Sequence, residues 1–428
     1  PPPPLPPPPV APEGGEDAKQ SMTEPDDTHP EAPKRMEYCA DVAAQTNGIN
    51  VSEVKPSDEQ KEYASKMVLY LYDETIKQRV SGYEKDKRND QPCFNMEASE
   101  AAVLGSVCTV LHAVQTVGKW RNANGRPATS SATATTPAAA ASASAAGSTD
   151  SSKATTAAAS VNVYPASKPP QPPTTAAKRV FCSIRPPGHH ACVGVNGYGF
   201  CVVNNVAFAL MEAYRCGFRR PAVVDFDLHL GDATNTLVDG LNAGRSKLRT
   251  KLQDDGSLSE DDAGPIAYYC SVHMDSAFPA IVTDKTKCPA KCSCLWADGA
   301  RKKDYYDCAK RQCHRWAVPV KKLDESFLCG FAAFGKSLTD YDPDVLFFSA
   351  GFDAHIDEGK CEGKDAGKGV AGQTYKAITR QLLECVGPDV PSVSLLEGGY
   401  TKRALQEGLG WHLSGLQDSG DDQSQPVL

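Results

Sequence analysis

The chain has 428 residues, 40% of them hydrophobic and 23% charged, and its 45 basic and 53 acidic side chains leave a formal charge of −8. That length and hydropathy can bury a sizeable core, while the negative balance excludes non-specific attachment to nucleic acid. No run of about 18 apolar residues suits a membrane span, and the N-terminus lacks a charged-then-apolar leader. The 16 cysteines are scattered rather than framed, which predicts reduced thiols in an intracellular compartment.

Residues 1–27 open with PPPPLPPPPV and continue polar and acidic. This composition predicts a disordered, extended tail, solvated or serving as an SH3- or WW-type ligand. Order is expected from near His29, in HPEAPKRMEYCADVAAQ, with a helix starting at Arg35. Glu59 to Arg79 reads as one further helix, carrying Tyr63, Met67, Tyr70, Leu71 and Ile76 at roughly helical spacing. Asp90-Gln91-Pro92 reads as a turn, and Glu97 to Val117 as a helix buried on most sides. Between 122 and 177 the composition collapses to Ala, Thr, Ser and Pro, and its central stretch has no aromatic residue. That is too little apolar surface to offset the entropy of ordering, so a disordered insertion is expected within one domain.

Beyond it the pattern is regular. Five apolar runs, Val180–Ile184, Ala222–Phe226, Ile266–Val272, Val345–Ser349 and Ser392–Leu396, each end in polar residues: RPPGHH, DLHLGD, HMD, AGFDAH and EGGY. Helical stretches intervene at Asn205–Arg215, Glu325–Ser337 and Gln373–Val386. Strands alternating with helices predict an α/β fold, a single three-layer domain with a mainly parallel sheet between helices. Ligands bind such sheets at the carboxyl ends of the strands, where these polar residues fall. Residues 286–313 break the alternation with Cys288, Cys292, Cys294, Cys308 and Cys313. The spacing contains no CxxC pair, so a surface loop with free thiols is preferred to a structural zinc. His412 reads as a packing or surface histidine, and 417–428 as a polar tail.

The chemistry concentrates in VVDFDLHLGDAT, where a β-branched run delivers Asp225, Asp227 and His229 within five residues. Burying that charge is costly unless it is paired or binds a metal. A solvated strand end and a divalent-metal site are both consistent with the stretch, and carboxylate with imidazole suits zinc. Asp353 after another buried strand would add a third ligand and leave a position open. His189 and His190 follow two prolines and a glycine, so a turn could offer both rings to one cavity as acid and base. Asp225 and Asp232 are natural partners for their far nitrogens. Tyr400, after two glycines, could donate to a developing oxyanion. Metal, base, acid and oxyanion donor together describe hydrolysis of an amide-like carbonyl.

With RPPGHHA, GFCVVNNVAFAL, DFDLHLGD, SAGFDAH and LLEGGY in that order, the sequence resembles the zinc-dependent histone deacetylases of the arginase/deacetylase fold. The resemblance covers His29 to about Leu416, so the deacetylase domain is expected over 28–416, with 122–177 and 286–313 as insertions. It implies Zn2+ on Asp227, His229 and Asp353, with His190 as general base and His189 as its electrostatic or acid partner. It implies Tyr400 as the group polarising the acetyl carbonyl. Phe200, beside Gly199, and Phe278 would flank the acetyl-lysine tunnel. Asp90 would grip the substrate backbone, and Arg35 would be the inner arginine near the acetate exit. K+ is implied beside the zinc, held by Asp225, Asp227, His229, Ser271 and Val272.

The sequence departs from the family at several points. Leu230 stands where DxDxHH has its second histidine, which predicts altered packing rather than loss of metal. The strand that normally precedes HPE is absent, and SVHMDSAFP is short. RPPGHH, GFDAH and LEGGY lean towards class II, whereas Asp232 and the DQP turn lean towards class I. The expected reaction is hydrolysis of N-acetyl-lysine on histone tails or other acetylated proteins. The alternatives are deacetylation of acetylpolyamines and a catalytically impaired scaffold of the same fold. Chromatin-complex subunits are expected as partners, with no direct nucleic acid and no membrane, and the compartment is nucleus, cytoplasm or both.

Overall fold

The computed structural model describes residues 31–46, 49–84, 96–124, 176–192, 197–260, 262, 265–274, 305–308, 312–318, 323–358 and 369–417. Its strands are β1 (Arg179–Cys182), β2 (Pro221–Asp225), β3 (Tyr268–Met274), β4 (Tyr305–Cys308), β5 (Cys313–Val318), β6 (Val345–Ala350) and β7 (Ser392–Leu396). They form one sheet in the order β1-β7-β6-β2-β3-β5-β4. Neighbours pair parallel except β4 with β5, which are antiparallel. Every residue of β2, β3, β6 and β7 is buried, which is why these strands read as unbroken apolar runs rather than as alternation.

The helices are α1 (Lys34–Gln45), α2 (Asp58–Tyr72), α3 (Ile76–Glu84), α4 (Met96–Ala123), α5 (Asn205–Arg215), α6 (Asp232–Asn242), α7 (Lys247–Asp254), α8 (Leu323–Tyr341), α9 (Gly372–Val386) and α10 (Lys402–Ala404). A π-helical turn, Leu405–Leu409, carries α10 into α11 (Gly410–Gln417). These helices flank the sheet: α4 lies against β1 and β7, α5 against β2 and β6, and α8 against β3 and β5. The three-layer α/β reading of the sequence therefore holds.

Three expectations change, and a fourth is qualified. The single helix over Glu59–Arg79 is two, because Asp73 closes α2 in the left-handed conformation, with φ 57°. A capping box then restarts the chain: Thr75 N–H donates to Gln78 Oε1 at 2.7 Å, and Gln78 N–H to Thr75 Oγ1 at 3.2 Å. The strand expected at Ile266–Val272 begins at Tyr268 and continues to Met274, taking in His273. The cysteine-rich span contains β4, and Cys313 opens β5, so sheet pairing claims residues that spacing alone assigned to a loop. Finally, Glu97–Ala123 has the length and mean hydropathy (1.5) of a membrane span although no unbroken apolar run occurs in it, and 67% of its apolar window is buried against the rest of the fold. It is a core helix here, packed on α5, α2 and α3.

His412 is a packing histidine. It is fully buried, edge-on to Phe181, Phe226 and Phe348. Its Nδ1 lies 2.7 Å from Thr379 Oγ1 and its Nε2 2.9 Å from Ser394 Oγ. Thr379 already donates its hydroxyl to Tyr375 O at 2.7 Å. Nδ1–H therefore donates to Thr379, and Nε2 accepts from Ser394.

Candidate active site

Central strands β2 and β6 pair in parallel and end together, so Asp225 and Ser349 are register partners. The chain beyond β2 places Asp227 and His229, and the chain beyond β6 places Asp353. His229 Nδ1 lies 3.0 Å from Asp227 Oδ1 and 2.8 Å from Asp353 Oδ2. The remaining carboxylate oxygens are fixed by main chain: Gly398 N–H donates to Asp227 Oδ2 at 2.8 Å, and Leu228 N–H to Asp353 Oδ1 at 2.9 Å. Glycine is required around them. A Cβ on Gly351 would lie 2.0 Å from Asp227 Oδ2, and one on Gly398 would lie 2.5 Å from Asp353 Oδ2.

The chain after β1 turns at 188–190 and brings both histidine rings beside this cluster, with centroids 4.1 Å apart. His189 Nδ1 lies 3.3 Å from Asp225 Oδ2, and its Nε2 lies 3.8 Å from Asp227 Oδ1. His190 Nδ1 lies 2.7 Å from Asp232 Oδ1, at the start of α6. Burial alone would lower the His189 pKa, but Asp227, Asp225 and Glu397 together raise it well above the ordinary value. Burial and the neighbouring His189 push His190 down to about 4 against the pull of Asp232. Two adjacent imidazoles are thus driven apart, one toward the cation and one toward the neutral base.

Tyr400 follows β7. Its ring meets Phe200 edge-on at 5.5 Å, and the Arg35 guanidinium lies over it at 4.6 Å. Burial raises the Tyr400 hydroxyl well above its ordinary pKa despite Arg35, so it remains a donor. Arg35 is buried, and its Nε donates to Gly399 O at 2.8 Å, another guanidinium N–H to Glu397 O, and Nη1 to Glu31 Oε1 at 3.1 Å. It clamps the turn that carries Tyr400. Gly199 (φ +56°) precedes Phe200 (φ +65°), and a Cβ there would lie 2.7 Å from His190 Cδ2.

The structure therefore brings together Asp225, Asp227, His229, Asp232, Asp353, His189, His190, Tyr400, Arg35, Gly199 and Phe200. Leu230 is absorbed into the core cluster. Asp90 and Phe278 lie outside the described residues. Ser271 and Val272 sit on β3, Ser271 in register with Asp225 and its Oγ 3.1 Å from His273 Nδ1. The geometry described around them gives no support to the potassium expected there.

Three groups of candidate ligands occur among the described residues. In His189, Cys201 and Glu397, the carboxylate is already occupied by Gly188 N–H (2.7 Å), His189 N–H (3.1 Å) and Ser349 Oγ–H (2.8 Å). Burial, aided by Glu397, holds the Cys201 thiol well above its ordinary pKa, so no thiolate is on offer. In His355, Asp357 and Glu407, Nδ1 accepts the Asp357 N–H at 3.1 Å, which puts the neutral ring's proton on Nε2. Arg403 Nε also lies 3.1 Å from both carboxylates, balancing their charge. Asp227, His229 and Asp353 are different. Burial disfavours the imidazolium of His229, yet Asp353 and Asp227 raise it to about 10, the response of a pocket built for positive charge. Two carboxylates and one imidazole, with glycines at their backs, fit a divalent ion of the zinc type.

A family model of the histone deacetylase domain matches residues 29–416. The chain belongs to the histone deacetylase family. Among curated relatives, it is 27% identical over 267 residues to type-2 histone deacetylase 2 of Dictyostelium discoideum, covering 57% of this chain and 13% of that protein. It is 29% identical over 267 residues to histone deacetylase HOS3 of Saccharomyces cerevisiae, covering 56% of this chain and 36% of that protein. This deacetylase-family chain thus matches well under half the length of either relative. Among solved structures, acetylpolyamine aminohydrolase from Burkholderia pseudomallei is similar over 91% of this chain and 92% of its own, with TM-score 0.51 and 16% identity, which establishes a shared fold.

Sequence reasoning missed Glu31, Arg185, Tyr198, Glu358 and the role of Glu397. Glu31 Oε1 takes Arg35 and Arg185 together, at 3.1 and 3.2 Å. Glu358 accepts the Tyr400 N–H at 2.8 Å. Glu397 had a visible signal, a carboxylate at the end of a buried strand, the same that singled out Asp225. Tyr198 had none.

Proposed function

We propose that this chain hydrolyses N-acetyl-lysine in proteins, acetylated histone tails among them, using zinc held by Asp227, His229 and Asp353, and releases acetate. The observation that carries this reading is the convergence, at the ends of parallel strands, of a carboxylate–imidazole cluster, two oppositely tuned histidines and a protonated tyrosine.

Zinc bound there supplies a Lewis acid that polarises the amide carbonyl and acidifies water. His190 gives its Nδ1–H to Asp232 and keeps the Nε2 lone pair to take the proton of the attacking water. Tyr400 donates its hydroxyl to the oxyanion that develops on the carbonyl oxygen. His189, held as a cation by Asp225, Asp227 and Glu397, hands a proton to the departing lysine amine. Phe200, edge-on to Tyr400, offers a flat apolar wall to the methylene stem; the roles expected for Phe278 and Asp90 fall on residues outside the described ones.

The test is zinc content measured beside turnover of an acetyl-lysine peptide, with acetylspermidine as the competing substrate. One zinc per chain and peptide turnover is the expected result. Turnover of acetylspermidine alone would move the substrate to small amines, and zinc with neither activity would make the chain a scaffold. Absence of zinc would overturn the ligand assignment.

A further inference from the structure

His190 is gripped on one side through Asp232 and on the other by a residue with no role so far, Tyr198. Asp232 Oδ1 takes the His190 Nδ1 at 2.7 Å, and Asp232 Oδ2 accepts the Tyr198 hydroxyl. The Tyr198 ring also stacks on His190, with centroids 5.1 Å apart and planes 30° from parallel. The His189 ring is a second aromatic neighbour, with its centroid 4.1 Å from that of His190. Tyr198 is itself held by a tight turn, in which Cys201 N–H donates to Tyr198 O at 3.0 Å.

A carboxylate anchored through one oxygen turns easily, because the terminal torsion of aspartate is broad. Anchoring the second oxygen fixes the carboxylate plane, and with it the direction in which Asp232 draws the His190 Nδ1–H. That direction aims the Nε2 lone pair. Burial and Asp232 keep the Tyr198 hydroxyl protonated, so it is a donor throughout.

We propose that Tyr198 is a positioning residue for the general base, the outer member of a Tyr198–Asp232–His190 relay that fixes the orientation and tautomer of His190. It does not contact the reacting atoms and acts through Asp232 and the stacked ring. Its hydroxyl is spent on Asp232, so it contributes to turnover rather than to substrate affinity.

The proposal rests on the deacetylase reading of the same site, and the zinc-loaded 428-residue chain tests both. Wild type is assayed first on the acetyl-lysine peptide and on acetylspermidine; turnover of neither fails the reading and the relay together. Given wild-type turnover, Tyr198→Phe keeps the stacked ring and removes the hydroxyl. We expect kcat to fall about 10-fold, a fraction of the roughly 10²–10⁴ a general base supplies, with KM and zinc stoichiometry unchanged. In an Asp232→Asn background the same substitution should cost nothing further, because the relay is already cut. An unchanged kcat, a rise in KM alone, or the same fold-loss in both backgrounds would overturn the proposal. If the Phe variant does not fold, Tyr198→Gln, which retains a donor, should keep a higher kcat than Tyr198→Leu; equal losses would also refute the relay.

Discussion

Two buried histidine sites lie in one fold, one holding a cation and the other a neutral ring. His189 is 3% exposed and faces the carboxylates of Asp227, Asp225 and Glu397, which raise its pKa well above the ordinary value against the effect of burial. His412 is fully buried, meets two hydroxyls and a ring of phenylalanines, and burial pushes it down to about 3. The imidazole is the same and its solvation is nearly the same. What differs is whether its hydrogen-bond partners are ionised. Where the partners are carboxylates, the molecule concentrates charge that an ion and a reaction can use. Where they are hydroxyls, the ring fills space and satisfies polar groups, and no chemistry follows.

The sharpest way to break this contrast is to neutralise the charged site. Asp353→Asn removes one of the two carboxylates facing His229 and should cost on the order of 10³-fold or more in turnover, together with weaker zinc binding. Zinc stoichiometry after dialysis and peptide turnover check it. A fully metallated, fully active variant would remove Asp353 from the ligand set. Tyr400→Phe should keep its zinc and lose about 10²-fold in kcat, the usual worth of one oxyanion donor. Unchanged turnover would exclude the hydroxyl from the mechanism.

The sequence made the charged site legible for a physical reason. Asp225 ends a buried strand and Asp227, His229 and Asp353 follow buried strands, where charge has no structural excuse, so each motif announced itself locally. The sheet was legible on the same basis, because parallel strands buried on both faces are continuous apolar runs. What could not be read depends on partners distant in sequence. Asp232 was visible, but the Tyr198 hydroxyl that completes it comes from a turn 34 positions away with no local signature. The clamp that Arg35 places on Glu397 and Gly399 spans more than 360 positions. Strands β4 and β5 escaped notice because their pairing, and not an apolar pattern, makes them strands. The break at Asp73 was written in the sequence as the Thr75–Gln78 capping box, and helical spacing across it masked the signal.

A gentler perturbation tests whether backbone, and not only side chains, shapes the ion pocket. Gly351→Ala would place a Cβ 2.0 Å from Asp227 Oδ2, so the carboxylate must move. We expect zinc affinity to fall roughly 10–100-fold, the range seen when the supports of a ligand are disturbed. Competition with a chromophoric chelator measures it, and unaltered affinity would show that Asp227 can rotate away without consequence.

The smallest effect should come from the neutral histidine, and it should appear only as a dependence on pH. Unfolded, His412 titrates near 6.5; folded, near 3. As pH falls from 7 toward 4 the unfolded chain binds a proton at this site that the folded chain refuses, so stability drops by about 1.4 kcal/mol per unit below 6.5 from this group alone. His412→Gln can still donate to Thr379 and accept from Ser394 but cannot titrate. It should be less stable than wild type at pH 7, by roughly 1–3 kcal/mol for an altered core contact. That deficit should shrink steadily on acidification as wild type loses the His412 contribution. Urea unfolding of both proteins at pH 7, 6, 5 and 4 gives the two curves. If they run parallel, His412 binds its proton equally well folded and unfolded, and the claim that burial without an ionised partner holds this imidazole neutral would fail.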